Sequence, residues 1–236
     1  NFAGIIMKII VLSSGGLDST VCVAKAVERV GNENVITVSF DYGQKHSKEL
    51  QCADKVAQHY GLKHYVLNLK DILKYSNCSL LKNSSQEIIH ESYAEQIEKN
   101  GEGMVSTYVP FRNGLMLSAV ASLAQSLFLE EQVLIYYGAH ADDAAGCAYA
   151  DCSQEFVNAI NKAIQIGTYN LVSLEGPLVT LTKAQVVKEG IRLNVPFELT
   201  WSCYEGGEKA CGTCGTCIDR LAAFAANNIK DPISYI

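Results

Sequence analysis

The 236-residue sequence contains no run of eighteen or more apolar residues, which argues against a membrane-spanning helix. It also has no basic excess, because 19 Lys and Arg residues face 25 Asp and Glu residues, for a net charge of −6. Proteins that hold nucleic acid mainly through its phosphates carry clustered positive charge. We therefore expect neither a membrane nor a nucleic acid as partner. The first residues lack the basic region and cleavage site of a secretion signal, so we expect a cytoplasmic protein.

A glycine-rich loop near the N-terminus, SGGLDS at 14–19, lacks two common nucleotide-binding patterns. It has no Gly-Lys-Ser/Thr, so it is not a Walker A loop, and it is not the dinucleotide-binding GxGxxG. The loop does follow an apolar run at 8–12 and open a helical pattern. Glycines let backbone N–H groups approach an anion closely, and the start of a helix favours negative charge. The context indicates a phosphate site, although a glycine-rich turn without a ligand remains the alternative.

The residue types in this loop suggest separate roles. Ser14 and Ser19 can donate hydroxyl hydrogen bonds to phosphate. Asp18 would repel phosphate directly, so we expect it to hold Mg²⁺ or a water on that ion.

Strand-like and helical patterns alternate along most of the chain, and 48% of its residues are hydrophobic. This alternation predicts an α/β fold with a doubly wound parallel sheet. We expect an α/β domain over residues 7–200, with 77–106 as an insertion or lid, and a small metal-binding tail over 201–236. The predicted strands are 8–12, 35–40, 64–69, 133–138 and 171–174.

Four of the nine cysteines lie together in the tail: Cys203, Cys211, Cys214 and Cys217. In a cytoplasmic protein such a cluster indicates a metal site before a set of disulfides. Four thiolates suit one tetrahedral Zn²⁺, which would then be structural because no coordination position stays open. An iron–sulfur cluster is the rival, although no Cys-Pro follows the last cysteine as in ferredoxins. Unmetallated cysteines are the third possibility. Of the scattered cysteines, Cys152 has the least certain role.

Several further segments, taken with the phosphate loop, resemble one family. They are DYGQ at 41–44, VPFRN at 109–113, GAHADD at 138–143, DC at 151–152 and TWSCY at 200–204. Together they are similar to the 7-cyano-7-deazaguanine synthases, the nitrile-forming enzymes of queuosine biosynthesis within the PP-loop ATP pyrophosphatases. The resemblance runs from about residue 7 to residue 224. It is weakest over 77–106, so no lid contact is carried over from it.

The resemblance implies a carbon–nitrogen ligase that converts 7-carboxy-7-deazaguanine and ammonia to the nitrile, with ATP as co-substrate. AMP and pyrophosphate would be the other products. It also implies Mg²⁺ and one structural Zn²⁺ per chain, and we expect a homodimer.

Position within the motifs suggests which residues contact the nucleotide. Those expected to hold the ATP pyrophosphate are Ser13, Ser14, Gly15, Gly16, Leu17, Asp18, Ser19 and Thr20. Val38, Ser39 and Asp41 lie at the carboxyl end of a strand, where ligands bind in open α/β sheets, and we expect them to line the adenine pocket.

Other polar residues are candidates for catalysis. Arg112 and Lys183 are positioned to stabilise charge on the transferring phosphate, although each also fits an ordinary surface role. His140 is a candidate general base. Asp142 and Asp143 are candidates to bind Mg²⁺ or the guanine-like edge of the substrate, or simply to cap a loop.

Three other functions remain open. A PP-loop tRNA-modifying sulfurtransferase shares the loop, but it should bring an RNA-binding domain or a basic face. A non-enzymatic zinc module leaves the phosphate loop unexplained. An amidotransferase-type synthetase would need a glutaminase domain, for which the chain has no room.

Overall fold

The structure is a computed structural model that describes residues 7–100, 107–144 and 149–236. Residues 101–106 of the predicted lid segment and the six N-terminal residues lie outside the described part.

Five parallel strands form one sheet in the order β3-β2-β1-β4-β5, which confirms the predicted doubly wound fold. The fourth strand ends two residues before its predicted end, so Tyr137 and Gly138 belong to the loop that follows it. The strands are β1 (Lys8–Leu12), β2 (Val35–Asp41), β3 (Lys63–Asn68), β4 (Val133–Tyr136) and β5 (Val172–Glu175).

Helices cover both faces of the sheet. Among the described residues, no helix combines the length and apolar character needed to cross a bilayer. The helices are α1 (Leu17–Val30), α2 (Lys48–Tyr60), α3 (Lys70–Leu73), α4 (Tyr93–Asn100), α5 (Arg112–Leu127), α6 (Ala141–Ala144), α7 (Gln154–Gly167), α8 (Lys183–Arg192) and α9 (Gly215–Ala226).

Alternate residues of the central strands supply two separate cores. Ile10 of β1 and Ile135 of β4 are fully buried against α5 and α7. Their neighbour Ile9 points to the opposite face, where α1, α8 and α9 pack. Successive side chains of a strand point to opposite faces, so a strand covered on both sides is apolar throughout. Burial of each such side chain contributes roughly 1.5–3 kcal/mol.

Helix α8 begins after the N-cap residue Thr182. The Thr182 hydroxyl accepts a bond from the Gln185 backbone N–H, and the Gln185 side chain accepts one from the Thr182 N–H. This capping box fixes the residue that follows Thr182, namely Lys183, at the start of the helix.

The last helix packs on the main sheet layer, because Phe224 of α9 lies in the same apolar cluster as Leu17 and Val187. Arg220 of α9 forms a fully buried ion pair with Asp231 at 2.6 Å, which fastens the C-terminal segment to this helix. The division of the chain at residue 201 stays a prediction.

Candidate active site

A cavity opens between the carboxyl ends of β1 and β4. At this point the strand order switches, because β2 and β3 lie on one side of β1 and β4 and β5 lie on the other. This is the place at which open α/β sheets bind ligands. With its open mouth included, the cavity has a volume of about 1350 Å³. The loops from the two strands approach closely because residue 138 is glycine: a Cβ there would lie only 3.0 Å from the Ser19 nitrogen.

The phosphate loop is braced by its own hydroxyl groups. The Ser14 N–H donates to the Ser19 Oγ at 3.2 Å, and the Thr20 hydroxyl donates to the Gly16 carbonyl at 2.8 Å. Gly15 has a φ of +78°, and a side chain there would collide with the backbone of α2. Of the eight residues predicted for this site, Ser13, Ser14, Gly16, Asp18 and Ser19 line the cavity. Leu17 is fully buried in the apolar core and anchors α1.

Charged groups from three separate parts of the chain meet beside this loop. The Lys183 Nζ lies 2.5 Å from the Asp18 Oδ2 and 3.3 Å from the His140 Nε2. The same His140 nitrogen lies 3.3 Å from the Asp143 Oδ2. Burial would raise the pKa of the Asp18 carboxyl, but Lys183 and His140 outweigh it and hold that pKa below its usual range. Burial raises the pKa of Asp143. A partly buried cluster of acidic and basic groups therefore lies beside the loop.

The two neighbouring acids after β4 have different positions. Asp142 is exposed and its Oδ2 accepts a bond of 2.7 Å from the Lys183 backbone N–H, so it caps the start of α8. Asp143 lines the cavity and faces His140. Asp142 therefore acts as a helix cap, and Asp143 is the one of the two that lines the cavity.

Arg112 lines the cavity beside Tyr42. Its guanidinium lies 5.4 Å from the centre of the Tyr42 ring and donates to the Tyr42 hydroxyl at 3.2 Å. Glu49, from the first turn of α2, lines the same part of the cavity. Burial raises the pKa of its carboxyl to about 7, against the opposing effect of Arg112. This part combines a cation, a weakly acidic carboxyl and aromatic rings.

The three residues predicted for the adenine pocket lie in three different environments. Ser39 lines the cavity and its hydroxyl donates to the Ser13 carbonyl at 2.5 Å. Val38 is fully buried in the apolar core. Asp41 pairs with Lys70 at 2.5 Å and is not among the residues that line the cavity.

Several cavity residues had no role in the sequence analysis: Glu49, Tyr149, Tyr204, Thr216 and Asp219. Tyr204 lies inside the TWSCY motif, and this motif was the only feature of the sequence that could have marked Tyr204 as a site residue. Thr216 and Asp219 come from α9, so the helix that follows the cysteines supplies part of the wall. Cys152 is buried and lines the cavity too. From the segment 77–106, Leu80 lines the wall.

The four tail cysteines converge as the spacing predicts. Their sulfur atoms all lie within 4.8 Å of one another, and the Cys211 and Cys217 sulfurs are 4.0 Å apart. The Cys211 sulfur also accepts bonds from the backbone N–H groups of Thr213 and Cys214. Such N–H bonds stabilise a thiolate, the form that binds metal. The group can therefore hold a metal ion.

Known proteins resemble this chain over nearly its whole length. The family model described as "Queuosine biosynthesis protein QueC" matches residues 8–228. A 7-cyano-7-deazaguanine synthase of Caldicellulosiruptor saccharolyticus is 42% identical over 229 residues, covering 97% of this chain and 96% of that protein. A second synthase of that name, from Archaeoglobus fulgidus, is 37% identical and covers 96% of this chain and 90% of its own.

Solved structures resemble the fold at low sequence identity. The U34-tRNA thiolase NcsA from Methanococcus maripaludis, solved with its [4Fe-4S] cluster, superposes with a TM-score of 0.51. It is 15% identical, and the match covers 94% of this chain and 68% of the thiolase. At this identity the likeness concerns the fold alone.

Proposed function

The chain belongs to the QueC family of queuosine biosynthesis proteins, and we propose that it is an ATP-consuming 7-cyano-7-deazaguanine synthase. One observation carries this proposal: the phosphate loop, Asp18 and Lys183 line one cavity, at the point between β1 and β4 where the strand order switches. That arrangement suits an enzyme that activates its substrate with a nucleotide.

The reaction needs two activations. A carboxylate is a poor electrophile because its oxygen does not leave, so attack on the α-phosphate of ATP makes an acyl adenylate and releases pyrophosphate. Ammonia displaces AMP and loses a proton, which gives the amide. The amide oxygen attacks the α-phosphate of a second ATP, which releases a second pyrophosphate and one N–H proton. Loss of AMP with the remaining N–H proton then gives the nitrile. Both activated oxygens occupy the same position, so one cavity serves both steps.

We assign the nucleotide to the residues around the phosphate loop. Ser14, Ser19 and the loop N–H groups would hold the pyrophosphate part of ATP, with Lys183 compensating its negative charge. The Asp18 Oδ1 is buried without a hydrogen-bond partner among the described residues, which suits a ligand to Mg²⁺. Bound there, Mg²⁺ would neutralise phosphate charge.

We assign proton transfer to His140. Its Nε2 lies within 3.3 Å of Lys183 and Asp143, inside the cavity wall. From this place the imidazole can accept the proton that ammonia or the activated amide loses, with Asp143 beside it.

We propose that the four-cysteine site holds one structural Zn²⁺. A tetrahedral Zn²⁺ with bonds of about 2.3 Å sets its sulfurs about 3.8 Å apart. The observed separations support a single ion, because an iron–sulfur cubane places several irons between its cysteines and spreads them further. With four thiolates present no position is left for substrate, so the metal would order the tail.

The test is mass spectrometry of the protein incubated with 7-carboxy-7-deazaguanine, ammonium and Mg-ATP. We expect 7-cyano-7-deazaguanine, with AMP rather than ADP accumulating in step. Formation of ADP and phosphate, or no turnover of this acid, would contradict the proposal. Thiolation of a tRNA in a parallel reaction with a sulfur donor would favour the sulfurtransferase instead.

A further inference from the structure

Two chemically different sets of residues line the cavity. One set is the phosphate loop with Asp18 and Lys183. The other is Arg112 and Glu49, with Tyr42 in contact with Arg112 and with Tyr149 and Tyr204 also in the lining. The first set suits the phosphates of a nucleotide. The second combines flat aromatic groups, a cation and a carboxyl group, which suits a planar heterocycle.

Glu49 is placed to reach a ligand next to the phosphate loop. Its backbone carbonyl borders Gly15, where an added Cβ would collide with it. Its side chain lines the cavity, and Arg112 is the one charged group that lowers the pKa of its carboxyl. No hydrogen bond within the described part of the chain contributes to that pKa. The carboxylate oxygens are therefore free to accept bonds from a ligand.

Arg112 is held in position by Tyr42. The guanidinium lies over the ring and donates to the hydroxyl, which occupies one of its five N–H groups. The remaining donors can serve a ligand. A guanidinium fork matches two oxygens that lie side by side.

A carboxylate that accepts two neighbouring N–H bonds distinguishes the two purine edges. A guanine-type edge presents a carbonyl oxygen, then a ring N–H, then an amino group. A guanidinium donates to the first, and an ionised carboxylate, which only accepts, takes both N–H bonds. The adenine edge has a ring nitrogen with a lone pair in the middle, and a carboxylate would repel it. A carboxylate bound in this way favours the acid substrate over the base of ATP.

We propose that Glu49 and Arg112 read the guanine-type edge of the 7-deazaguanine substrate. Glu49 accepts from the ring N–H and the 2-amino group, while Arg112 donates to the 6-oxo oxygen and the neighbouring 7-carboxyl oxygen. This assignment rests on the proposed function. It makes both residues specificity-determining, and it leaves the phosphate loop to ATP.

The test compares two ligands by calorimetry: 7-carboxy-7-deazaguanine and its analogue without the 2-amino group. The wild-type protein should bind the complete acid at least 10-fold more tightly, because a bond to a charged group is worth about 1.5–3 kcal/mol. In Glu49→Gln, affinity for the complete acid should fall on the order of 10- to 100-fold, and the preference should disappear. Asp54→Asn, on the exposed side of the same helix, is the control and should behave as wild type.

Each outcome decides a separate question. A Glu49→Gln protein that keeps the wild-type preference overturns the assignment. So does an equal loss of affinity for a non-hydrolysable ATP analogue, because Glu49 would then read adenine. If Glu49→Gln does not fold, Glu49→Asp replaces it: the shortened side chain should reduce the preference, and an unchanged preference overturns the assignment. Failure of the wild-type protein to convert the acid would instead reject the proposed function.

Discussion

The ammonium group of Lys183 lies 2.5 Å from the carboxylate of Asp18, although 165 positions separate the two residues in the sequence. Asp18 is the second residue of α1, and Lys183 is the first residue of α8. The capping box at Thr182 fixes the start of α8. The cation beside the phosphate loop is thus positioned by the protein itself, and Asp18 balances its charge.

Removal of either charge should impair turnover. We expect Lys183→Gln and Asp18→Asn each to lower kcat on the order of 10²-fold, because charge stabilisation of the transferring phosphate is lost. The measurement is AMP formation at saturating substrates. Lys188→Gln changes an exposed lysine on the same helix and should keep normal kcat. Near-normal turnover in both site variants would remove these residues from the phosphate site.

Glu49 should make stability depend on pH. Its folded-state pKa of about 7 lies above the ordinary value of 4.5, so folding favours the protonated carboxyl. The stabilisation is present below the ordinary value and is lost as pH rises toward 7. Arg112 keeps its charge in this range, while Tyr42, with a pKa of about 12, and Cys52, with a raised pKa, stay neutral.

Glu49→Gln removes this titration. We expect its melting temperature, relative to wild type, to increase between about pH 5 and pH 8, because only the wild type must bury a new charge. Thermal melts of both proteins across this range measure the difference. A difference that does not change with pH would mean that the carboxyl titrates at its ordinary value.

The tail metal should affect stability before catalysis. We expect one equivalent of zinc, little iron and a colourless protein. Cys203→Ser should lose the metal and lower both melting temperature and solubility, because the glycine-rich segment depends on the ion for its order. Cys22→Ala, in the apolar core, should destabilise the protein yet retain one equivalent of zinc. A brown protein with stoichiometric iron would contradict the zinc assignment.

The buried pair of Arg220 and Asp231 should be essential for stability. Both side chains are almost completely withdrawn from solvent. We expect Asp231→Asn to cost about 3–5 kcal/mol of unfolding free energy, because it leaves a buried guanidinium without its counter-charge. Denaturant unfolding measures the change. Glu28→Gln breaks an exposed ion pair with Arg192 and should have little effect. Equal effects of the two substitutions would show that burial does not decide the cost.

The sequence was sufficient for the sheet because its strands are local patterns. β1 begins and ends where its apolar run does, and the loop motif follows it directly. The predicted β4 extends to residue 138, whereas the strand ends at Tyr136. The prediction was too long because Tyr137 is apolar enough to continue a strand pattern. Only the packing shows that Tyr137 leaves the sheet and lines the cavity.

Glu49 could not be found from the sequence because it lies beside the apolar stripe of α2, as an exposed residue would. It faces the cavity because that helix starts beside the phosphate loop, which is a tertiary relationship. Val38 and Ser39 illustrate the same limit. Adjacent strand residues point to opposite faces, and the residue pattern alone does not say which of the two meets the ligand.

The Trp201 backbone N–H donates to the Gly15 carbonyl at 2.9 Å, and its indole N–H donates to the Cys203 carbonyl at 2.8 Å. One residue therefore joins the phosphate loop to the cysteine loop. If binding at the phosphate loop and metal binding at the cysteines affect each other through this residue, the coupling free energy is the same in both directions. If removal of the metal weakens nucleotide binding by some factor, nucleotide must strengthen retention of the metal by the same factor. A chelator will then need a higher concentration to strip the protein when ATP is bound.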